Sequence, residues 1–169
     1  MVPMTAIALA WGLLLGQVAS ADAPATDSGV PMAFFGFRLI NTSLEPTTAA
    51  EDARIRQLDE LFREKLATAR RYRLVTVPPE IRAEIAAGPG IDGCNGCERD
   101  FARKAGADMA AWGTVQKVSN LILNINVYVR DAGTGTMTFV RSVDIRGNND
   151  ESWKRGLDYL LRNYLLNNP

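Results

Sequence analysis

The chain has no histidine among its 169 residues. That absence removes Ser-His-Asp and Cys-His nucleophilic machinery, the helical zinc-protease motif, c-type haem ligation and every imidazole metal site. It has no excess charge of either sign, with 19 Lys plus Arg against 19 Asp plus Glu. A neutral chain lacks the basic surplus that drives phosphate-backbone binding, so nucleic acid is not an expected partner. Cysteine occurs only at Cys94 and Cys97, and two thiols without an imidazole do not fill a tetrahedral zinc site. No Gly-x-x-x-x-Gly-Lys phosphate loop and no EF-hand spacing occur. No metal and no cofactor are expected, and no enzyme signature survives.

What is present fits one domain: 47% hydrophobic and 22% charged residues are ordinary for a globular chain of this length. Residues Met1 to Ala21 carry no charged side chain, and an apolar run from Ala6 to Leu15 precedes Ala19-Ser20-Ala21. This reads as a signal peptide over 1–21, cleaved after Ala21. The run is short of the roughly 20 residues a membrane-crossing helix needs, so no span is expected after cleavage. With the first cysteine at Cys94, no amino-terminal lipid anchor is expected either. Residues 22–32 are small and polar and read as a flexible leader, leaving a single α/β domain over 33–169.

Within that domain, Ala33 to Asn41 reads as a short buried strand, and Ile55, Leu58, Phe62, Leu66 and Ala69 mark an amphipathic helix over 50–71. Its interleaved charges, Glu51, Asp52, Arg54 and Asp59 among them, read as a solvated face. Tyr72 to Val77 is a second strand stopped by Pro78-Pro79, with a short helix through Ile85 that Gly88 ends. Cys97 to Gly106 reads as a third helix with Gly106 as its carboxy-terminal cap. Ala110 to Val118 is a strand. In Leu121 to Val129 the residues Leu121, Leu123, Ile125, Val127 and Val129 share a buried side, and Asn124, Asn126 and Tyr128 a wet one. Asp131 to Gly135 turns the chain into a partner strand, Thr136 to Arg146. Asn149 or Asp150 caps a last helix with a stripe of Trp153, Leu157, Leu160, Leu161, Tyr164 and Leu165. The order β-α-β-α-α-β-β-β-α predicts a mixed sheet of about five strands with helices packed on it.

Gly106-Ala107-Asp108, then Gly113-Thr114-Val115-Gln116-Lys117-Val118, then a strand ending at Asp131 before Thr134-Gly135, is similar to the amino-terminal domain of TolB and its relatives in the curli-secretion lipoprotein. The segments Cys94 to Glu98, Lys117 to Leu123 and Arg146 to Gly156 resemble a proteobacterial family of secreted proteins catalogued only as a domain of unknown function. The resemblance spans roughly the whole chain after the leader and implies a periplasmic address. It also implies an envelope setting, or a link to periplasmic alcohol oxidation by pyrroloquinoline-quinone enzymes, and it brings no established activity. The expected role is non-enzymatic: an accessory protein that binds a periplasmic protein partner.

Three groups of residues are candidates for that role. Cys94 and Cys97 in an oxidising compartment form a structural disulfide or, because Cys97 begins a helix, a redox pair. Arg146-Gly147-Asn148-Asn149-Asp150-Glu151-Ser152-Trp153 is the densest polar run. It reads as a strand-to-helix connection, or as a partner or ligand site formed by Arg146, Asn148, Asp150, Glu151, Trp153 and Arg155. There the two arginines would hold an anion, or Asp150 and Glu151 a cation. Lys117 and Asn120 flank a turn between strands and are the remaining candidates.

Overall fold

Alternation of apolar residues along the strands and their recurrence at steps of three and four along the helices sort the chain into elements. The computed structural model, which describes residues 29–167, places these elements in the expected order. They are β1 (Val30–Asn41), α1 (Ala49–Ala69), β2 (Tyr72–Val75), α2 (Pro79–Ala87), α3 (Cys97–Lys104), β3 (Met109–Lys117), β4 (Ile122–Asp131), β5 (Met137–Arg146) and α4 (Asp150–Leu160). A π-helical turn, Leu161–Leu165, extends α4. The expected signal peptide and most of the expected leader lie outside the described residues. The leader's last residues are strand, because Val30 to Ala33 pair in parallel with Tyr72 to Val75.

The five strands form one mixed sheet in the order β2-β1-β3-β4-β5. β1 runs parallel to both β2 and β3, and β3, β4 and β5 form an antiparallel meander. α1 and α4 cover one face, where Phe34, Phe62, Leu58, Val115, Ile125, Val127, Trp153 and Leu157 form the larger core. Each large apolar side chain buried there contributes about 1.5–3 kcal/mol. α2 and α3 cover part of the other face, with Ile81, Phe101 and Ala102 against Ala33, Ala110 and Trp112. The side of β4 expected to be wet is therefore only partly so: Tyr128 stacks on Trp112 at 5.2 Å beside α3.

Local chemistry explains the ends of the elements. α1 stops at Ala69 because Arg70 takes a left-handed conformation, φ 53°. α3 ends with Gly106 at φ 74°, where the Gly106 N–H reaches the Arg103 carbonyl and the Ala107 N–H the Ala102 carbonyl, a Schellman closure. β1 bulges between Phe34 and Phe37 around Gly36 at φ 93°. The freed Phe37 N–H donates to Asp59 Oδ1 at 2.7 Å. Burial pushes the Asp59 carboxyl up, against the lowering pull of that hydrogen bond. The Phe37 ring then lies over Gly113, where a Cβ would come within 2.1 Å of a ring carbon.

Leu121 and Tyr164 fall outside the core, as does Ala69 at the end of α1. Leu121 precedes β4 in the hairpin and is 62% exposed. Tyr164 is also exposed, because the Leu166 N–H bonds back five residues to Leu161 and the wider turn rotates the stripe onto Leu165. No helix among the described residues is long and apolar enough to cross a membrane.

Candidate functional site

Lys117 is the last residue of β3, on the face that α1 covers, and its side chain is 1% exposed. A buried ammonium needs a compensating charge, and Glu51, at 0% exposure, supplies it from the first turn of α1, with Lys117 Nζ 2.8 Å from Oε1. Thr48 and Glu51 form a capping box. The Thr48 side chain accepts from the Glu51 N–H, and Glu51 Oε2 accepts the Thr48 N–H at 2.7 Å and its hydroxyl at 3.1 Å. Asn148, in the β5–α4 connection, donates from Nδ2 to Glu51 Oε1 at 2.6 Å and to Asn120 Oδ1 at 2.9 Å. Its own Oδ1 accepts from Arg54 Nη1 at 3.1 Å, and Arg54 Nε pairs with Asp150 at 2.7 Å. Glu45 completes the group, 3.4 Å from Lys117 Nζ and accepting from Asn120.

Both charges are held in their ionised forms. Burial alone would raise the Glu51 carboxyl. The bonds from Lys117, the Thr48 backbone, Asn148 and the Thr48 hydroxyl outweigh it and lower the pKa to about 2, and the positive end of α1 acts in the same direction. Lys117 is pushed up, first by the Glu51 hydrogen bond, against desolvation. A lysine acts as a base or nucleophile when its pKa falls. Lys117 moves the other way, so the arrangement is a clasp that joins the β1–α1 connection, α1, the β3–β4 hairpin and the start of α4.

The structure thus brings four of the candidates together, Lys117, Asn120, Asn148 and Asp150. It adds Glu45, Thr48, Glu51 and Arg54. Trp153 is buried directly beneath, with the Arg54 guanidinium 5.9 Å from its ring centre and no acceptor for its indole N–H among the described residues. Asn149, rather than Asp150, caps α4 by accepting from the Ser152 N–H at 2.9 Å. Arg146, Glu151 and Arg155 do not join the clasp. Glu151 and Arg155 pair with each other in solvent at 3.4 Å, and Arg146 contributes its carbonyl to the Ser152 hydroxyl. Asp150 faces Arg54 and Glu151 faces Arg155.

Glu51 and Arg54 sit where sequence patterning indicated solvent. The run Thr48-Ala49-Ala50-Glu51 is a legible capping-box signal. The burial of its glutamate had no sequence signal, since the partner stands 66 residues away at Lys117.

Cys94 and Cys97 form a disulfide on the other face, at the start of α3. Glu98 is 2% exposed and pairs with Arg130 at 3.0 Å. Its Oε2 lies 3.7 Å from Cys94 Sγ. These two sulfurs and the Glu98 carboxylate group as metal donors would, but the S–S bond occupies both thiolates.

Residues 30–165 match the DUF3280 family, described as "Protein of unknown function (DUF2380)". Similar solved structures include the LpoB C-terminal domain from Salmonella enterica, at 16% identity and TM-score 0.53 over 73% of this chain and 87% of that one. Lipoprotein GNA1162 from Neisseria meningitidis matches at 12% identity and TM-score 0.52, over 82% of this chain and 97% of that one. The PelC dodecamer from Paraburkholderia phytofirmans matches at 12% identity and TM-score 0.51, over 83% and 91%. At these identities the likeness is one of fold. No curated protein matches the chain by sequence.

Proposed function

The chain belongs to the DUF3280 family, and on that premise we propose that it is a secreted periplasmic accessory protein that binds a protein partner and performs no chemistry of its own. One observation carries this reading. The polar candidates Lys117, Asn120, Asn148 and Asp150 are engaged in the Lys117–Glu51 clasp, whereas the ten-residue strand β5 has one edge with no neighbour among the described residues. The molecule therefore offers a partner backbone hydrogen bonds rather than activated side chains. The signal-like segment at residues 1–21 supports the address, as does a fold shared with a lipoprotein. An envelope complex or a periplasmic oxidation system would be the setting.

The test is site-specific photo-crosslinking in the native host, with the probe residue at Val140 on β5, Leu121 at the hairpin tip or Glu80 on α2. The reading expects one defined protein adduct from at least one position in the periplasmic fraction. No adduct from any position, with the protein correctly exported, overturns it.

The alternative is a thiol–disulfide protein using Cys94 and Cys97. Cys97 at the first position of α3 favours it. The Glu98 carboxylate beside Cys94 Sγ works against it, because a neighbouring negative charge disfavours a thiolate.

A further inference from the structure

Resting on the partner-binding reading, we propose that the free edge of β5 receives an extended acidic segment of the partner as a sixth strand, with Arg141 as its charge anchor.

The two edges of the sheet are unlike. β2 is four residues long, and beyond Ala33 the flank of β1 is occupied by Asp59 bonding to the Phe37 N–H. β5 runs for ten residues, Met-Thr-Phe-Val-Arg-Ser-Val-Asp-Ile-Arg, and has neither the proline nor the lysine that natural edges use to repel added strands. Its only irregularity lies at its beginning, opposite Val129 and Arg130. Beside its first half runs a groove of about 460 Å³, lined by Met137 to Arg141 and by Asn163, Tyr164 and Asn167 of the carboxy-terminal turn. The π turn that took Tyr164 out of the core places it here.

Arg141 gives the groove its chemistry. Its guanidinium lies 5.9 Å from the Phe139 ring centre and 5.8 Å from that of Tyr164. It donates to the neighbouring Val140 carbonyl at 2.9 Å and pairs with no carboxylate among the described residues. Two aromatic faces hold the planar cation in place and leave its remaining donors for a carboxylate. Phe139 and Val143, on the same side of the strand, flank it with apolar surface. The matching segment carries Asp or Glu between aliphatic residues at alternate positions.

A second copy fits less well. The midpoint of β5 falls between Arg141 and Ser142, so full-length antiparallel pairing of β5 with itself sets two Arg141 side chains opposite or diagonal to one another, a like-charge contact.

The experiment uses the full mature chain and two capped octapeptides that alternate threonine with valine, one with a central glutamate and one with a central lysine. Amide hydrogen exchange across Met137–Arg146 reads the binding. The expected result is slowed exchange in β5 with the glutamate peptide and about tenfold weaker binding of the lysine peptide. Arg141→Glu should reverse that preference and Arg141→Gln should abolish it, both with unchanged melting. Equal binding of the two peptides, no protection of β5, or protection that rises with protein concentration without peptide each overturns the proposal, the last in favour of a second copy. A partner crosslinked from Leu121 but not from Val140 overturns this inference and leaves the partner-binding reading standing.

Discussion

The Lys117–Glu51 clasp and the Cys94–Cys97 disulfide lie on opposite faces of the sheet, and they join very different spans of chain. The clasp gathers Glu45, Glu51, Lys117, Asn120 and Asn148 without a covalent bond, so it exists only when α1, the β3–β4 hairpin and the connections that precede α1 and α4 are already in place. The disulfide joins residues three apart and closes a loop whose entropy is small with or without the rest of the fold. Covalency is therefore a poor guide to importance here. The weaker bonds report the whole tertiary structure, and the stronger one reports a local turn.

The sharpest way to break the clasp is Lys117→Met, which leaves the Glu51 carboxylate buried and unpaired. A loss of about 3–5 kcal/mol in urea unfolding is expected. Adding Glu51→Gln, which removes the charge and keeps an N3 amide for the capping box, should restore more than half of it. No restoration would show that Lys117 acts through packing alone.

Acid tests the same contrast without mutation. Glu51 titrates at 4.5 when unfolded and at about 2 in the fold, so its contribution is complete above pH 4.5 and is lost as pH falls toward 2. The raised Lys117 works with the opposite sign: its contribution is complete below 10.5 and fades only above it. Urea midpoints between pH 2 and 6 should show the acid loss, to which the Asp131 and Asp158 carboxyls, lowered by Thr134 and by Lys65, also contribute, and Glu51→Gln should reduce it. The disulfide should be indifferent over this range.

Removing the disulfide should cost less. For so short a loop, the closure formula gives about 2 kcal/mol for Cys94→Ser with Cys97→Ser. Thiol counting across redox buffers should find the pair oxidised below about −300 mV. Exchange near −120 to −200 mV would overturn the structural assignment and favour the redox alternative. The smallest effect is expected for the solvent-exposed pair at Glu151 and Arg155, where either alanine variant should stay within about 0.5 kcal/mol of the parent in urea unfolding.

The Arg146 to Arg155 segment shows how far the sequence could be read. Its strand-to-helix character, its cap and its buried tryptophan follow from local chemistry, since a cap needs only the next few N–H groups and a stripe only the helical period. Which of its polar residues turn inward did not follow. Asn148 and Asp150 meet Arg54 and Glu51, contributed from nearly a hundred residues upstream, while Glu151 and Arg155 find only each other. Tyr164 shows the same limit from the apolar side, because a single π turn moves it from the predicted stripe to the surface.

Period, caps and turn residues act over a few positions, so the sequence by itself determined the element order, the mixed sheet and the family resemblance. The tertiary structure decided what depends on contacts between distant segments: a glutamate and a lysine buried as a pair, a sheet edge at β5 left bare among the described residues, and an arginine held over two rings beside it. Burial and charge pairing are properties of space rather than of sequence neighbourhood. An exposed helix charge and a buried clasp can therefore be written with the same residue in the same pattern.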